Sequence, residues 1–526
     1  MNASLDGLPR VTYANAGADF GALHALIDEA LPAFEARALG QDAANLIGGA
    51  PDHGGVRQEV RSPIDRRMVL GTMVWADASA VDRAVAAARA AAPGWRSTPW
   101  QDRVAALRRV AAALRAERLD HAMAAILEVG KSRLEAMGEI EESIDLIGYY
   151  CDRLEASGGG EVALASGPGG EVGLDRLRPY GSFAVIAPFN YPFALAIGMT
   201  TGALLGGNTV VLKPAQGAAL SAPALARAFA GMLPAGVFNL LCGGADTGAQ
   251  LAAHPDIDGI AFTGSHEVGM ALMRAAVAGR FARPVLAELG GKNAAIVAAS
   301  ADLDAAASGV ARSAFGLSGQ KCSSCSRVFV HRSVRDAFVE RLRAVSESLV
   351  VGDPRRAGSF TGPVIGEPSA VRYEQAVASA RAAGATVLTG GRRLADGPAA
   401  FGAYLAPTIV ADAPAGHEVD VRELFVPLLS LREVGSLDEA IDEANRSALG
   451  LSAGIYARDD AERQHFEDRI EAGVLYANRA SGATTGAWPG FQTFCGWKGS
   501  GATGKGGLGP YYVQQFMREQ SLTRAR

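Results

Sequence analysis

A thiol, a cation and several hydroxyls meet at Gly319-Gln320-Lys321-Cys322-Ser323-Ser324-Cys325. Such neighbours favour a thiolate, the nucleophilic form of cysteine, so Cys322 is the first candidate for covalent chemistry. Taken alone, a cysteine is more often a small buried hydrophobe, and its context must decide. The Cys322-x-x-Cys325 spacing also fits a redox pair or half of a zinc site. No second cysteine pair or histidine partner accompanies it, however, so no metal is expected and Cys325 reads as a packed neighbour. Upstream, Thr263-Gly264-Ser265, with Gly269 four residues on, reads as a strand turning into a helix. A helix start there would offer free N–H groups and a positive dipole end to a phosphate. Gly243-Gly244 with Gly248 makes a similar turn one unit earlier. Lys213 and Glu288 each end an apolar run, and Asn190 lies in a segment bounded by two prolines. By themselves these three are equally readable as a solvated lysine, a solvated carboxylate and a turn former.

The elements that must position these groups change texture along the chain. The first fifty residues read as a lead-in, and 80–154 is helical, with Ala, Leu, Arg and Glu recurring at three- and four-residue spacing. Glycines and small residues gather at 157–170 and apolar alternates with polar over 171–178, which predicts a loop and a short exposed strand in a projecting hairpin. From Ser182 onward, strands are predicted at 183–187, 209–212, 237–241, 260–263 and 285–288, with helices at 219–232 and 267–277 between them. That is a doubly wound, Rossmann-type α/β pattern with a parallel sheet. A second α/β pattern follows Gly290-Gly291, with a strand at 293–297, a helix ending near Ser313, a strand at 328–330 and further alternation to about Asn478. The stretch from Ser481 is rich in Gly, Thr and Trp, and precedes a strand predicted at 511–517. It is expected to wrap over a cleft or a neighbouring subunit.

Composition excludes several classes. With 526 residues the chain must divide into two or three domains, and 49% hydrophobic with 20% charged residues is the balance of an ordinary globular protein. A net charge of −5 without a basic block argues against nucleic acid and for a small-molecule partner. The longest apolar run, 193–205, is too short and glycine-rich to span a bilayer, and the five scattered cysteines are too sparse for a disulfide framework. A cytoplasmic protein with reduced thiols and no membrane contact is expected.

Five motifs in one order carry a resemblance to the aldehyde dehydrogenase superfamily. Gly319 to Cys322 resembles its nucleophile motif, and Glu288-Leu289-Gly290-Gly291-Lys292 its general-base motif. Pro188-Phe189-Asn190-Tyr191-Pro192 resembles the oxyanion motif, Phe262-Thr263-Gly264-Ser265 through Gly269 the cofactor turn, and Glu423-Leu424-Phe425-Val426-Pro427 the element that steadies the nicotinamide ribose. The resemblance runs from about residue 60 to 517. It implies catalytic roles for Cys322, Glu288 and Asn190, and NAD as cofactor, with NADP as the alternative. Cofactor contacts are implied for Ala187, Pro188, Phe189, Lys213, Gln216, Gly248, Thr263, Gly264, Ser265, Gly269, Leu289, Glu423 and Phe425. Gln216 stands where many NAD-preferring relatives carry an acid that would repel a 2′-phosphate. The implied division is a cofactor domain at 1–160 with 182–289, a catalytic domain at 290–497, and a small β oligomerisation element at 161–181 with 498–526. A homodimer or dimer of dimers follows from that last element.

Within the superfamily, Gln320-Lys321-Cys322-Ser323 with Cys325-Ser326-Arg327, Glu142-Ser143-Ile144-Asp145 with Tyr149-Tyr150, and Thr485-Gly486-Ala487 with Gln492 and Phe494 resemble the glutamate semialdehyde (pyrroline-5-carboxylate) dehydrogenases. This implies oxidation of that semialdehyde through a thioester, with Phe193, Lys321, Ser323, Gly486, Ala487 and Phe494 around the substrate; a broad-specificity aldehyde dehydrogenase is the alternative. The chain departs from that pattern by about three extra residues near Gly482 to Thr485, and by Trp488-Pro489, Cys495 and Trp497. Those groups predict a bulkier, more aromatic pocket.

Overall fold

The computed structural model describes residues 9–15, 18–279, 281–480 and 485–525. Its first seven-stranded sheet runs in the order Val285–Glu288, Gly259–Thr263, Ser182–Ile186, Thr209–Lys213, Phe238–Leu240, Asn45–Ile47, Ala50–Asp52. The first five strands are parallel, and Ser182–Ile186, Thr209–Lys213 and Gly259–Thr263 are buried along their whole length. Burial on both faces is what near-continuous β-branched and apolar runs are suited to. The register sets Thr263 beside Glu288 and Ile186 beside Lys213. The carboxyl ends of four adjacent strands therefore open on one crevice, where ligands bind in sheets of this type.

Only Leu289 to Lys292 separate this sheet from the second, which begins at Asn293–Val297. Its order is Thr386–Thr389, Thr408–Ala411, Leu428–Val434, Cys325–His331, Asn293–Val297, Ser452–Tyr456, Val474–Ala477, antiparallel only at the first pair. Because Asn293 pairs with Cys325, the loop carrying Cys322 is set beside the end of the Glu288 strand. A third sheet joins Glu161–Ala163, Val172–Pro179 and Met517–Arg524, all antiparallel.

Two expectations are corrected. The first fifty residues are more than a lead-in: Gly21–Ala38 is a helix whose Leu23, Ile27, Leu31 and Phe34 form one buried stripe. Each such side chain contributes about 1.5–3 kcal/mol on burial, enough to dock the segment. The C-terminal strand is Met517–Arg524, whereas the span predicted for it contains a 3-10 turn, Val513–Phe516. Val513 and Phe516 are buried with two glutamines between them, a three-residue period that a strand cannot bury on one face. Among the described residues no helix is long and apolar enough to cross a membrane.

Candidate active site

The helix Leu303–Phe315 delivers the chain to a turn in which Leu317, Ser318 and Gly319 take φ of 49°, 51° and 71°. Left-handed backbone at non-glycine residues costs on the order of 1 kcal/mol each, so something must hold it. Ser318 accounts for this: its N–H donates to Thr361 Oγ1 at 2.7 Å and its hydroxyl to Gly362 O at 2.6 Å. Past the turn, the Asn293 amide donates to Cys322 O at 2.7 Å and Ser324 O at 2.9 Å, while its Oδ1 accepts from Ser452 N–H at 2.9 Å. One side chain thus pins the nucleophile loop from both sides. Sequence reasoning passed over Asn293, whose only signal is a buried polar residue at the head of an apolar strand. Asn190, also buried, donates from Nδ2 to Gln320 O at 2.9 Å, which brings the amide to the same loop.

The electrostatics correct the expectation of a thiolate. Burial, then the Glu423 and Glu288 carboxyls, push the Cys322 thiol up to about 12. The neighbouring cation gives no compensation, because Lys321 Nζ is bound to Glu135 Oε1 at 2.5 Å. Glu288 is raised to about 8 by burial, with the Gly507 N–H opposing. Its Oε2 has no hydrogen-bond partner among the described residues. The segment after it is strapped by the C-terminal stretch: Leu289 N–H donates to Ser500 O at 2.9 Å and Ser500 Oγ to Gly290 O at 2.7 Å. The expected wrapping over a cleft is therefore made within this chain.

A cavity of about 120 Å³ has Glu288, Lys321, Cys322, Ser323, Gly486 and Ala487 in its wall. Phe494 lines it too, as do Tyr13, Tyr150, Tyr191 and Tyr512. Gly486 has φ +69°, a conformation that strains any residue with a side chain, and a Cβ there would also displace the Arg479 guanidinium, whose nitrogen would lie 2.2 Å away. Phe193 is not brought to this wall; it is fully buried with its ring 5.2 Å from that of His121. The predicted source of aromatic bulk is also corrected. Trp488 turns away to donate to Asp145 Oδ2 at 2.8 Å, Cys495 Sγ lies 3.4 Å from Gly473 O, and Trp497 is exposed. Aromatic character comes instead from the tyrosines, including Tyr13 of the N-terminal segment, whose hydroxyl donates to Glu142 at 2.7 Å. Burial raises that carboxyl to about 7. The proposed insertion near Gly482 to Thr485 lies outside the described residues except at Thr485, which lines the cavity. Cys325 is buried, its thiol 3.3 Å from Arg327 O, and no metal-binding cluster occurs among the described residues.

The remaining predicted residues gather at the strand ends. Ala187 N–H donates to Lys213 O at 3.0 Å, Pro188 follows, and the Phe189 ring meets Phe425 edge-on at 5.9 Å. Phe425 takes φ +57°. Glu423 Oε1 accepts from Gly291 N–H at 2.9 Å, and burial raises this carboxyl to about 7. Ser265 caps the helix His266–Val277 by accepting from Val268 N–H. Gly264 N–H donates to Glu288 O at 3.2 Å, and Thr263 lines the same cavity as Cys322. A Cβ on Gly269 would come 2.3 Å from Leu289 Cδ2, so glycine lets the helix pack closely on the Leu289 side chain. Lys213, buried and lowered to about 8, gives Nζ to Pro214 O at 2.9 Å, with its stem passing over Gly248 and Gln216 exposed nearby. That leaves buried donors on Lys213 beside Gly248, and a 12-residue helix starting at another strand end of the same sheet, a set that fits a dinucleotide.

Residues 51–522 match the aldehyde dehydrogenase family. The chain is 33% identical over 506 residues to the 1-pyrroline-5-carboxylate dehydrogenase of Geobacillus sp. (strain WCH70), a match covering 94% of this chain and 95% of that one. Among solved structures it is similar to a Thermus 1-pyrroline-5-carboxylate dehydrogenase with bound NAD (TM-score 0.92, 31% identity, 100% of both chains). It is also similar to the NADP-dependent glyceraldehyde-3-phosphate dehydrogenase of Bacillus halodurans C-125 complexed with NADP (TM-score 0.84, 31% identity, 92% of this chain and 99% of that one). The chain belongs to the aldehyde dehydrogenase family and is an NAD(P)-dependent oxidoreductase.

Proposed function

We propose that the protein oxidises L-glutamate γ-semialdehyde to the acid through a thioester on Cys322. The observation that carries this reading is the single cavity walled by Cys322, Glu288, Ser323, Gly486 and Ala487. The Cys322 thiol gives its proton to the Glu288 carboxylate as the sulfur bonds to the aldehyde carbon and the carbonyl electron pair moves to oxygen; the carboxyl then passes that proton to solvent. The Asn190 amide keeps one N–H beyond its bond to Gln320 O. Together with the Cys322 backbone N–H it holds that oxyanion, a contribution of about 3 kcal/mol per good donor. Lys213, Ser265 and Glu423 would hold NAD(P) at the strand ends, where the cofactor would supply the hydride acceptor that turns the Cys322 adduct into the thioester. Glu288 then takes a proton from water, whose oxygen attacks the thioester carbon and releases the thiolate and the acid. Ser323, Gly486 and Ala487, in the wall of the same cavity, hold the substrate's α-carboxylate.

In this reading 1–160 with 182–289 bind the cofactor and 290–497 carry the chemistry. The hairpin element at 161–181 with 498–526 offers the exposed edge strand Glu161–Ala163 to a second copy, giving a homodimer or dimer of dimers. Five free thiols suit the cytoplasm. The test is an aldehyde panel read at the absorbance of reduced nicotinamide, with NAD and NADP in parallel. Glutamate semialdehyde should lead in kcat/KM. A preference of about a hundredfold for hexanal or benzaldehyde, more than one methylene can supply, would overturn the substrate assignment.

A further inference from the structure

Residues 187–193 connect the strand Ser182–Ile186 to the helix Ala194–Leu205 and carry Asn190. That helix has no side-chain cap of its own. Its first donors are met from outside: Glu139 Oε1 accepts from Phe193 N–H at 2.8 Å and Ala194 N–H at 3.2 Å. The other oxygen of the same carboxylate takes the Lys131 ammonium at 2.6 Å, and neither side chain has any exposure. Lys131 Nζ in turn lies 3.4 Å from the ring centre of Tyr191, the residue after Asn190 and part of the cavity wall. The connection is thus fixed at its start by Ala187 on Lys213 O, at its end by Glu139, and beside Asn190 by a cation against the next side chain.

A buried ion pair is weak support for stability, since its attraction offsets the desolvation of both charges only when the geometry and further hydrogen bonds are good. Here the additional bonds all go to the segment that holds the oxyanion donor. We propose that Glu139 and Lys131 are positioning residues that set the Asn190 amide relative to Cys322, an inference that rests on the oxyanion role assigned to Asn190 above. The carboxylate anchors the end of the connection and the cation–π contact fixes its middle. The amide then meets the developing charge without reorganising.

The test is a double-mutant cycle of Glu139→Gln with Asn190→Ala, reading the rate of acylation in single turnovers, KM for the aldehyde, Kd for NAD, and Tm. Glu139→Gln should slow acylation about tenfold or more, as a misplaced group does, with the cofactor Kd unchanged. Added to Asn190→Ala it should cost no further rate. A full additional loss on top of Asn190→Ala, or a Tm decrease with acylation per folded enzyme unchanged, would overturn the proposal. A wild-type rate in Asn190→Ala alone would instead remove the oxyanion role beneath it. Should Glu139→Gln fail to fold, Lys131→Met, which keeps the bonds from Glu139 to the helix start, carries the same cycle with the same readings.

Discussion

Replacing Glu288 by Gln tests both its role and its environment. Burial moves this carboxyl from the ordinary 4.5 to about 8, equivalent to about 5 kcal/mol of preference for the neutral form, as an upper bound. The ionised base is therefore the minority species below pH 8, about a tenth at pH 7. Turnover limited by it should rise about tenfold from pH 6 to 7 and level off above 8. The variant should lose on the order of 10² or more in steady-state rate, lose this limb and lose the burst of reduced nicotinamide as well, because neither the Cys322 proton nor the proton of the attacking water then has its acceptor. Stability gives an independent reading. A folded-state pKa raised above the unfolded value means that this group's contribution is fully present below about 4.5 and is lost as pH rises through 8. Relative to the wild type, the variant should accordingly gain Tm between pH 5 and 9. Stopped-flow absorbance and thermal melts across that range measure both. A flat wild-type pH–rate profile from 6 to 9, or a variant that keeps turning over, would refute the reasoning.

Asn293→Ala removes two donors from the nucleophile loop and leaves the Ser452 N–H unmet. It should lower stability by about 3–5 kcal/mol and cost activity even in the folded fraction; a denaturant midpoint and kcat near wild type would contradict the pinning. Gln216→Glu places a carboxylate beside the Lys213 end of the crevice, and should weaken NADP binding about tenfold or more while sparing NAD. Equal change for both cofactors, measured by fluorescence titration, would show that position 216 does not meet the adenosine ribose.

Legibility in the sequence tracked how far apart the cooperating residues lie. The crevice at the strand ends could be read because a parallel strand and the turn after it are contiguous: Thr263 to Gly269, the segment from Ala187 to Asn190, and Glu288 to Leu289 each lie in a few consecutive residues. The strand predictions around them follow from unbroken apolar runs, which two-sided burial demands. Glu135, Glu139 and Glu142 were different. At i, i+4 and i+7 of the helix Arg133–Ala156 they look like the solvated face of an amphipathic helix. In the folded chain that face is buried, and its three carboxyls meet Lys321, the 194–205 helix start and Tyr13, at separations of 186, 54 to 55 and 129 residues.

The same distance effect explains the reversed expectation at Cys322. A sequence shows that Lys321 adjoins the thiol but not that Glu135 has already taken its charge. With Lys321 paired to Glu135, burial and two nearby carboxyls push the thiol up. A thiol held near 12 cannot be the standing thiolate that its polar neighbours suggest, so its proton must go to a base as the carbon–sulfur bond forms. Glu288, at about 8 and in the wall of the same cavity, has an oxygen without a hydrogen-bond partner among the described residues and so is placed to take that proton. Burial that disfavours the thiolate thus also makes the carboxylate basic enough to accept its proton, and both effects come from closing one apolar cavity around the two side chains.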